Sequence, residues 1–215
     1  MVKLFTGIVD YIGTHQQEYV DALKTHLFFF ITVLLLNMAI GITCGVIIAK
    51  KDKFSSLIIN IFSFLKMIPS LALLLLFIPI IGIGFLPAFI ALTLHALPTI
   101  LINTYAGFRQ IDVFILESAK AMGMSRREIL FKVEFPLAMP LIFTGIRTSS
   151  VDIIATTTIA AYIGAGGLGQ FVIMGLVFMN SSVMMAGSLT IAAIVLIIDL
   201  ILYFFQRRFT RYLPD

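Results

Sequence analysis

Charged residues inside apolar segments are the groups of this sequence most able to do chemistry. Asp152 is the most unusual of them, because a long apolar segment flanks it on both sides. A charge at the bilayer centre costs roughly 2.5–3.5 kcal/mol on insertion scales, so it usually faces a cavity or a partner. Asp152 therefore either lines a pathway that favours a cationic solute or joins a structural interaction, with Lys66, Arg147 or His95 as candidate partners. Asp199, nearer the end of the last apolar segment, is read as structural.

Helical spacing predicts the surroundings of Asp152. Residues three and four apart share a helix face, which places Ser149 and Thr156 on the same side as Asp152. Ile153 and Ile154 then point elsewhere and are expected to meet lipid. A polar stripe of this kind suits a cavity or an interface between helices.

Nucleotide and metal chemistry fit this sequence poorly. Gly164, Gly166 and Gly169 match the G-x-G-x-x-G spacing, but that fingerprint needs a preceding strand and an acid about 20 residues on. Here the glycines follow an apolar segment, and Met184 and Leu189 stand where the acid belongs. We expect a flexible outer turn instead. No G-x-x-x-x-G-K-[ST] sequence or zinc-ligand spacing occurs, so no catalytic residue, metal or bound cofactor is expected.

Composition sets the surroundings in which these residues work. The chain has 215 residues, of which 60% are hydrophobic and 12% charged. Soluble domains carry about 25% charged residues, so this chain has too little polar surface to cover a globule in water. Its charges cluster beside apolar segments, which favours lipid over nucleic acid as a partner. The sequence therefore predicts an all-α integral membrane protein.

Apolar segments of about 20 residues are long enough to cross a bilayer as helices. Five segments qualify, at about 27–49, 54–83, 85–107, 137–163 and 183–205. The second is long and contains Pro69, so it is one span or two shorter helices. The count is accordingly five or six, and the charges favour five.

Basic residues collect on the cytoplasmic side of membrane proteins. In a five-span chain, three basic clusters share one side: Lys50, Lys51, Lys53, Arg109, Lys120, Arg126, Arg127, Lys132, Arg207, Arg208 and Arg211. Lys3 and Lys24 remain on the other side, whereas six spans would separate the first cluster from the rest. We therefore expect an extracytoplasmic segment at 1–26, a membrane domain at 27–205 and a cytoplasmic tail at 206–215. The amino terminus then lies outside.

The cytoplasmic loop at 108–136 is the one long polar connection. Asp112 is a suitable N-cap for a short helix that runs to about Met122. Gly123 then ends this helix, as glycine often does.

A second short helix follows in the same loop. Ser125 and Glu128 have the Ser-x-x-Glu spacing of a capping box, and Pro136 is expected to close the helix before the fourth span. By physical reasoning alone, this helix–turn–helix either anchors two spans at the interface or docks a partner.

The loop resembles the EAA signature of ABC importer permeases. Glu117–Gly123 followed by Phe135 and Pro136 carries the likeness, with Ser118 in place of the first alanine and Phe135 in place of the usual leucine. The resemblance implies a coupling helix that docks on an ATP-binding subunit. Its expected contact residues are Glu117, Ser118, Ala119, Ala121, Gly123, Ser125 and Glu128.

Further blocks extend the resemblance to permeases for glycine betaine, carnitine and choline. They are Ile68–Ala72, Asn103–Tyr105, Gly145–Thr148, Gly164–Gly169, Gly123–Ser125 and Pro136–Pro140. The likeness implies a type I, MetI-like importer of the prokaryotic plasma (inner) membrane, with methionine and ergothioneine as alternative solutes. Together with the residues named above, it gives these pathway candidates: Pro69, Ser70, Asn103, Tyr105, Asp152, Thr156, Gly164, Gly166 and Gly167.

The resemblance also implies partners. Five spans leave little room for a pathway, so a second permease, identical or paralogous, is expected. ATP and magnesium belong to a separate ATP-binding subunit, and a binding protein delivers solute outside. Solute selection is assigned to that protein, because the chain has no Trp for an aromatic cage. A secondary transporter is the alternative, but it would show internal repeats. A membrane enzyme would need a nucleophile–base pair.

Overall fold

A computed structural model describes residues 2–210, apart from the side chains of residues 2–5, 52 and 53. Over that range the chain is helical and contains no strand. The ten α-helices of this range are α1 Val2–Thr14, α2 Gln16–Ala49, α3 Asp52–Met67, α4 Ser70–Ile81, α5 Phe85–Arg109, α6 Val113–Ala121, α7 Arg126–Ile129, α8 Phe135–Ala160, α9 Gly169–Val177 and α10 Ser181–Thr210. The side chains of Lys3 and Lys53, and all of residues 211–215 including Arg211, lie outside the described residues.

Four uninterrupted helical stretches are long and apolar enough to cross a membrane, which confirms the all-α membrane fold. They are Gln16–Ala49, Phe85–Arg109, Arg126–Ile163 and Ser181–Thr210. The first begins well before the predicted span at 27, because the polar residues ahead of it continue the same helix. The amino-terminal segment is thus helical, a feature that apolar length alone did not indicate.

The second apolar segment is broken at Pro69. Helix α3 ends at Met67 and α4 begins at Ser70, and the two qualify as a span only as a bent pair. Pro69 is the N-cap of α4, with an extended ψ of 135° and a φ of −57° that is set by its ring. Proline also disfavours the helical region for the residue before it, which agrees with the end of α3 at Met67. Counted as one broken span, the pair brings the total to five.

The chain divides into two compact units. The first comprises Met1–Leu36, Ile68–His95 and Ser150–Ile198. Its core packs residues of α1, α2, α9 and α10 together: Ile8, Tyr19, Ala22, Leu168, Phe171, Val183 and Ala186. The Tyr19 hydroxyl hydrogen-bonds to that of Thr190, and Gly175 lets α9 lie directly against the backbone of Met184. The two amino-terminal helices and the first part of α10 are therefore joined within this unit.

The second unit comprises Asn37–Met67, Ala96–Ser149 and Asp199–Asp215. Glycines bring the backbones of its helices together, as is usual between membrane helices. A Cβ at Gly45 of α2 would lie 2.9 Å from the Leu101 carbonyl oxygen of α5. A Cβ at Gly107 of α5 would lie 3.0 Å from the Ala138 carbonyl oxygen of α8. Helices α2, α5 and α8 are therefore closely packed in this unit, which also carries the loop at 108–136.

Candidate functional site

The first half of the loop folds as its sequence indicates. Asp112 is the N-cap of α6, and its Oδ1 accepts a hydrogen bond from the Phe114 N–H at 2.9 Å. The helix ends before Met122, and Gly123 follows with φ +81°. The Gly123 N–H donates to the Lys120 carbonyl at 2.9 Å, which closes the turn. Both the cap and the glycine stop are confirmed.

The second half begins with the predicted capping box. The Ser125 N–H donates to Glu128 Oε2 at 3.0 Å, and the Glu128 N–H donates to Ser125 Oγ at 3.3 Å. Lys132 Nζ donates to Glu128 Oε1 at 2.9 Å, one turn further on. The two bonds between Ser125 and Glu128 fix the start of α7.

The prediction that Pro136 closes this helix is wrong. From Arg126 to Ile163 the chain is one helical stretch, with a π turn at Leu130–Glu134 between α7 and α8. The Phe135 N–H donates to the Leu130 carbonyl, five residues back. Pro136 has no N–H, and its ring would strike the carbonyl four residues back in a regular helix; the wider turn relieves this conflict. The loop is thus continuous with the fourth span.

Five of the seven expected contact residues are exposed, Ser125 among them, whereas Glu128 is half-buried and Ala119 is buried. Glu117, Ser118, Ala121 and Gly123 are exposed, whereas Ala119 is only 2% exposed and packs inward. A shallow groove of about 330 Å³ lies beside them, lined by Phe114, Ile115, Ser118, Ala119, Met122 and Val133.

Two apolar residues of this surface were not predicted as contacts. Phe114 and Met122 are each 75% exposed, which is unusual for large apolar side chains in a polar loop. Their spacing along α6 with Ser118, four residues apart each time, is the sequence signal that could have found them. The loop therefore presents an exposed apolar surface with a carboxylate, Glu117, beside it.

Asp152 is half-buried on α8, within the first unit. Thr156 is buried, and its hydroxyl donates to the Asp152 backbone carbonyl at 2.6 Å. The expectation that Ile153 and Ile154 face lipid is wrong, because neither is exposed at all. The exposed side of this stretch carries Val151 and Ala155 instead, so Asp152 stands at the margin between the protein interior and an outer face of small side chains.

Arg147, one of the partners considered for Asp152, binds Asp199. Its Nε donates to Oδ1 and its Nη2 to Oδ2, both at 3.0 Å, which is a bidentate pair. Arg147 Nη1 donates to Gln206 Oε1 at 2.9 Å, and the guanidinium carbon lies 5.2 Å from the centre of the Tyr203 ring. This arrangement ties α8 to α10 and supports the structural reading of Asp199.

The glycine-rich segment after α8 is a left-handed turn. Gly164, Gly166 and Gly167 have φ of +76°, +86° and +85°. Gly167 is buried against His26, since a Cβ there would lie 3.3 Å from the imidazole Nδ1. A short helix, α9, then follows from Gly169 in the stretch between the fourth and fifth predicted spans. Among the described residues no strand precedes this turn, as a dinucleotide site would need.

The remaining pathway candidates lie in different surroundings. Pro69 is exposed and Ser70 half-buried at the start of α4. Asn103 and Tyr105 are half-buried on α5 and belong to the second unit, whereas the other candidates belong to the first. The Asn103 amide already donates to the Thr99 carbonyl at 2.8 Å. Neither unit by itself therefore assembles the whole candidate set.

Comparison with known proteins identifies the family to which this loop and these spans belong. The family model of the binding-protein-dependent transport system inner membrane component matches residues 41–213. The chain belongs to this family. It is 37% identical to a carnitine transport permease of Listeria monocytogenes, over 86% of this chain and 85% of the relative. It is 32% identical to a glycine betaine/carnitine/choline transport system permease of Bacillus subtilis, over 94% of each.

A solved structure agrees with the fold. A chain of the MetNI methionine ABC transporter in an inward-facing conformation matches 94% of this chain and 99% of its own length, with a TM-score of 0.77 and 22% identity. At that identity the likeness concerns the fold alone. The family membership makes this chain an inner-membrane permease subunit of an ABC importer, a transporter component rather than an enzyme. Such importers work with an ATP-binding partner and a substrate-binding protein.

Proposed function

We propose that this permease carries a small quaternary amine or betaine, such as glycine betaine, carnitine or choline, into the cell. The observation that carries the proposal is the similarity, along nearly the whole chain, to permeases named for these solutes. Methionine and ergothioneine are the alternative solutes. The likeness to the methionine transporter supports the shared fold and not a shared solute, because the sequences are 22% identical.

The exposed loop is the proposed docking site for the ATP-binding subunit, which holds ATP and magnesium. Phe114 and Met122 offer apolar area, and Glu117 offers a carboxylate to donors of the partner. ATP binding would draw the loops of two permeases, identical or paralogous, together. The continuous helix from Arg126 then conveys that displacement to the fourth span.

The proposed orientation places the amino terminus outside and the carboxyl terminus in the cytoplasm. Its support is the distribution of basic residues. Lys50 directly follows α2, and Arg109 and Arg207 lie in the last turns of α5 and α10, so all three lie on one side in a five-span chain. The loop then faces the compartment that contains ATP.

We further propose that Asp152 faces the interior of the permease pair. The residue is half-buried and stands beside the exposed residues Val151 and Ala155, and the small side chain of Ala155 would permit close approach of a second subunit or leave room for a solute. An ionisable side chain at this depth costs least where it meets water or a partner.

Solute binding by the extracytoplasmic binding protein tests the solute class. Calorimetry across glycine betaine, choline, carnitine, ergothioneine and methionine is expected to show tight binding of an onium compound from the first three. ATP-dependent uptake of the same compound by the reconstituted complex is the matching transport assay. Binding and uptake of only methionine or ergothioneine would replace the proposed solute class while leaving the permease assignment intact.

A further inference from the structure

The π turn at Leu130–Glu134 is the main irregularity in the helix that joins the coupling loop to the fourth span. Its hydrogen bonds are made to the fifth residue back, and such turns are rare in regular helices and frequent at functional sites. A wide turn with poorer hydrogen-bond geometry is more compliant than an α-helix. Without support, it would absorb part of any displacement that the loop receives.

An ion pair supports the turn at its last residue. Lys50 Nζ lies 2.9 Å from Glu134 Oε2, and the Glu134 side chain is only 15% exposed. The Oε2 atom itself is shielded from solvent and accepts no hydrogen bond, so the Lys50 ammonium neutralises it as an ion pair only. A shielded carboxylate depends on its cationic partner far more than an exposed one does.

Lys50 stands at a closely packed end of α2 in the second unit. It follows Ala49, the last residue of α2, and a cation is favoured at a helix C-terminus. Ile48 and Ala49 are buried, and Gly41 and Gly45 place this end of α2 in close contact with α5. The lysine therefore links the π turn to a bundle that is fixed by backbone contacts.

A second ion pair in the same loop serves as a comparison. Lys132 Nζ lies 2.9 Å from Glu128 Oε1, but these side chains are 66% and 44% exposed and belong to one helical stretch. Exposed pairs four residues apart contribute little. This pair connects the loop to itself, whereas the Lys50–Glu134 pair connects it to another helix.

We propose that the Lys50–Glu134 ion pair braces the π turn, so that movement of the coupling loop reaches the fourth span. Lys50 and Glu134 are thus positioning residues for the coupling of ATP hydrolysis to transport. The inference rests on the proposed docking of the loop on an ATP-binding subunit.

The test measures solute taken up per ATP hydrolysed in proteoliposomes that contain the whole complex, with labelled glycine betaine, choline and carnitine as probes. Glu134→Gln and Lys50→Gln are expected to lower this ratio about five-fold or more, the lower end of usual coupling energies, with ATP hydrolysis largely retained. Lys132→Gln is the matched control and leaves the ratio unchanged. Lys50→Arg retains coupling, and Lys50→Glu combined with Glu134→Lys restores part of it.

An unchanged ratio in Glu134→Gln would overturn the proposal. So would equal losses of uptake and ATP hydrolysis in both Gln variants, since these indicate failed docking or folding. Absence of uptake of all three probes by the wild type would instead contradict the solute assignment.

A second experiment, which needs no solute, then tests whether the ion pair supports the π turn. Thr148→Cys, on the exposed side of α8 and in a chain without Cys44, is labelled with a small thiol reagent with and without ATP and vanadate. We expect a nucleotide-dependent labelling rate that Glu134→Gln abolishes. An equal change in both chains, or no change in the wild type, would refute the brace.

Discussion

Substitutions at Gly123 test the coupling loop most directly, because the effect of backbone conformation at this position can be separated from the effect of side-chain contacts. Its φ of +81° lies in the left-handed region, and nothing lies within 4 Å of the place where a Cβ would stand. A side chain there meets no clash, so any penalty comes from backbone conformation alone. For an ordinary L-residue this penalty is about 1–2 kcal/mol.

A graded series of substitutions follows from that geometry. Asn tolerates the left-handed region, so Gly123→Asn is expected to behave nearly as the wild type. Gly123→Ala should lower the population of the closed turn relative to open forms by about 5–30-fold, the factor that corresponds to 1–2 kcal/mol. Gly123→Pro is incompatible with positive φ and also removes the hydrogen bond from the Gly123 N–H to the Lys120 carbonyl, so it should abolish the turn.

The assay is solute-stimulated ATP hydrolysis by the reconstituted complex. All three variants should insert normally, because the turn lies outside the apolar segments, and the amount of protein in the membrane fraction checks this. Stimulation should be retained in the Asn variant, reduced in the Ala variant and absent in the Pro variant. Normal stimulation in Gly123→Pro would refute the reasoning, and equal losses in Asn and Ala would show that side-chain contacts, not backbone conformation, set the requirement.

Three further outcomes are expected. In a chain without its native cysteine, Asp10→Cys should react with an impermeant thiol reagent outside intact cells, and Thr210→Cys should not. Labelling of both variants, or only of Thr210→Cys, would rule out the proposed orientation. Asp152→Asn should slow uptake of cationic choline more than of zwitterionic betaine if the residue lines the pathway, whereas equal slowing with a lower melting temperature indicates a structural role. Gly45→Val should lower the free energy of unfolding by about 1–3 kcal/mol through overpacking, as measured by thermal denaturation in detergent. Gly13→Ala, where a Cβ meets open space, is its control and should not destabilise.

Features that depend on a few neighbouring residues followed from the sequence. The Asp112 cap, the Ser125–Glu128 capping box and the stop at Gly123 each involve groups no more than a few positions apart, so their geometry is set locally. The break at Pro69 has the same origin. The membrane spans were also predictable, because crossing a bilayer requires about 20 apolar residues whatever the remaining fold is.

The outcome at Pro136 depended on more than the local signal. A proline can end a helix or be accommodated within one, and here the π turn accommodates it. In the helix that contains the π turn, Glu134 contacts Lys50, a residue distant in sequence. No local sequence pattern predicts this contact. The tertiary structure therefore decided that the loop and the fourth span form one helical stretch.

The faces of the membrane helices were decided by tertiary structure as well. Ile153 and Ile154 are buried, although their type suits lipid equally well, and Arg147 pairs with Asp199 rather than with Asp152. In a soluble helix the polar face marks the solvent side. In a membrane helix the lipid-facing and protein-facing sides are both apolar, so hydropathy fixes where a span lies but not which side of it packs inward.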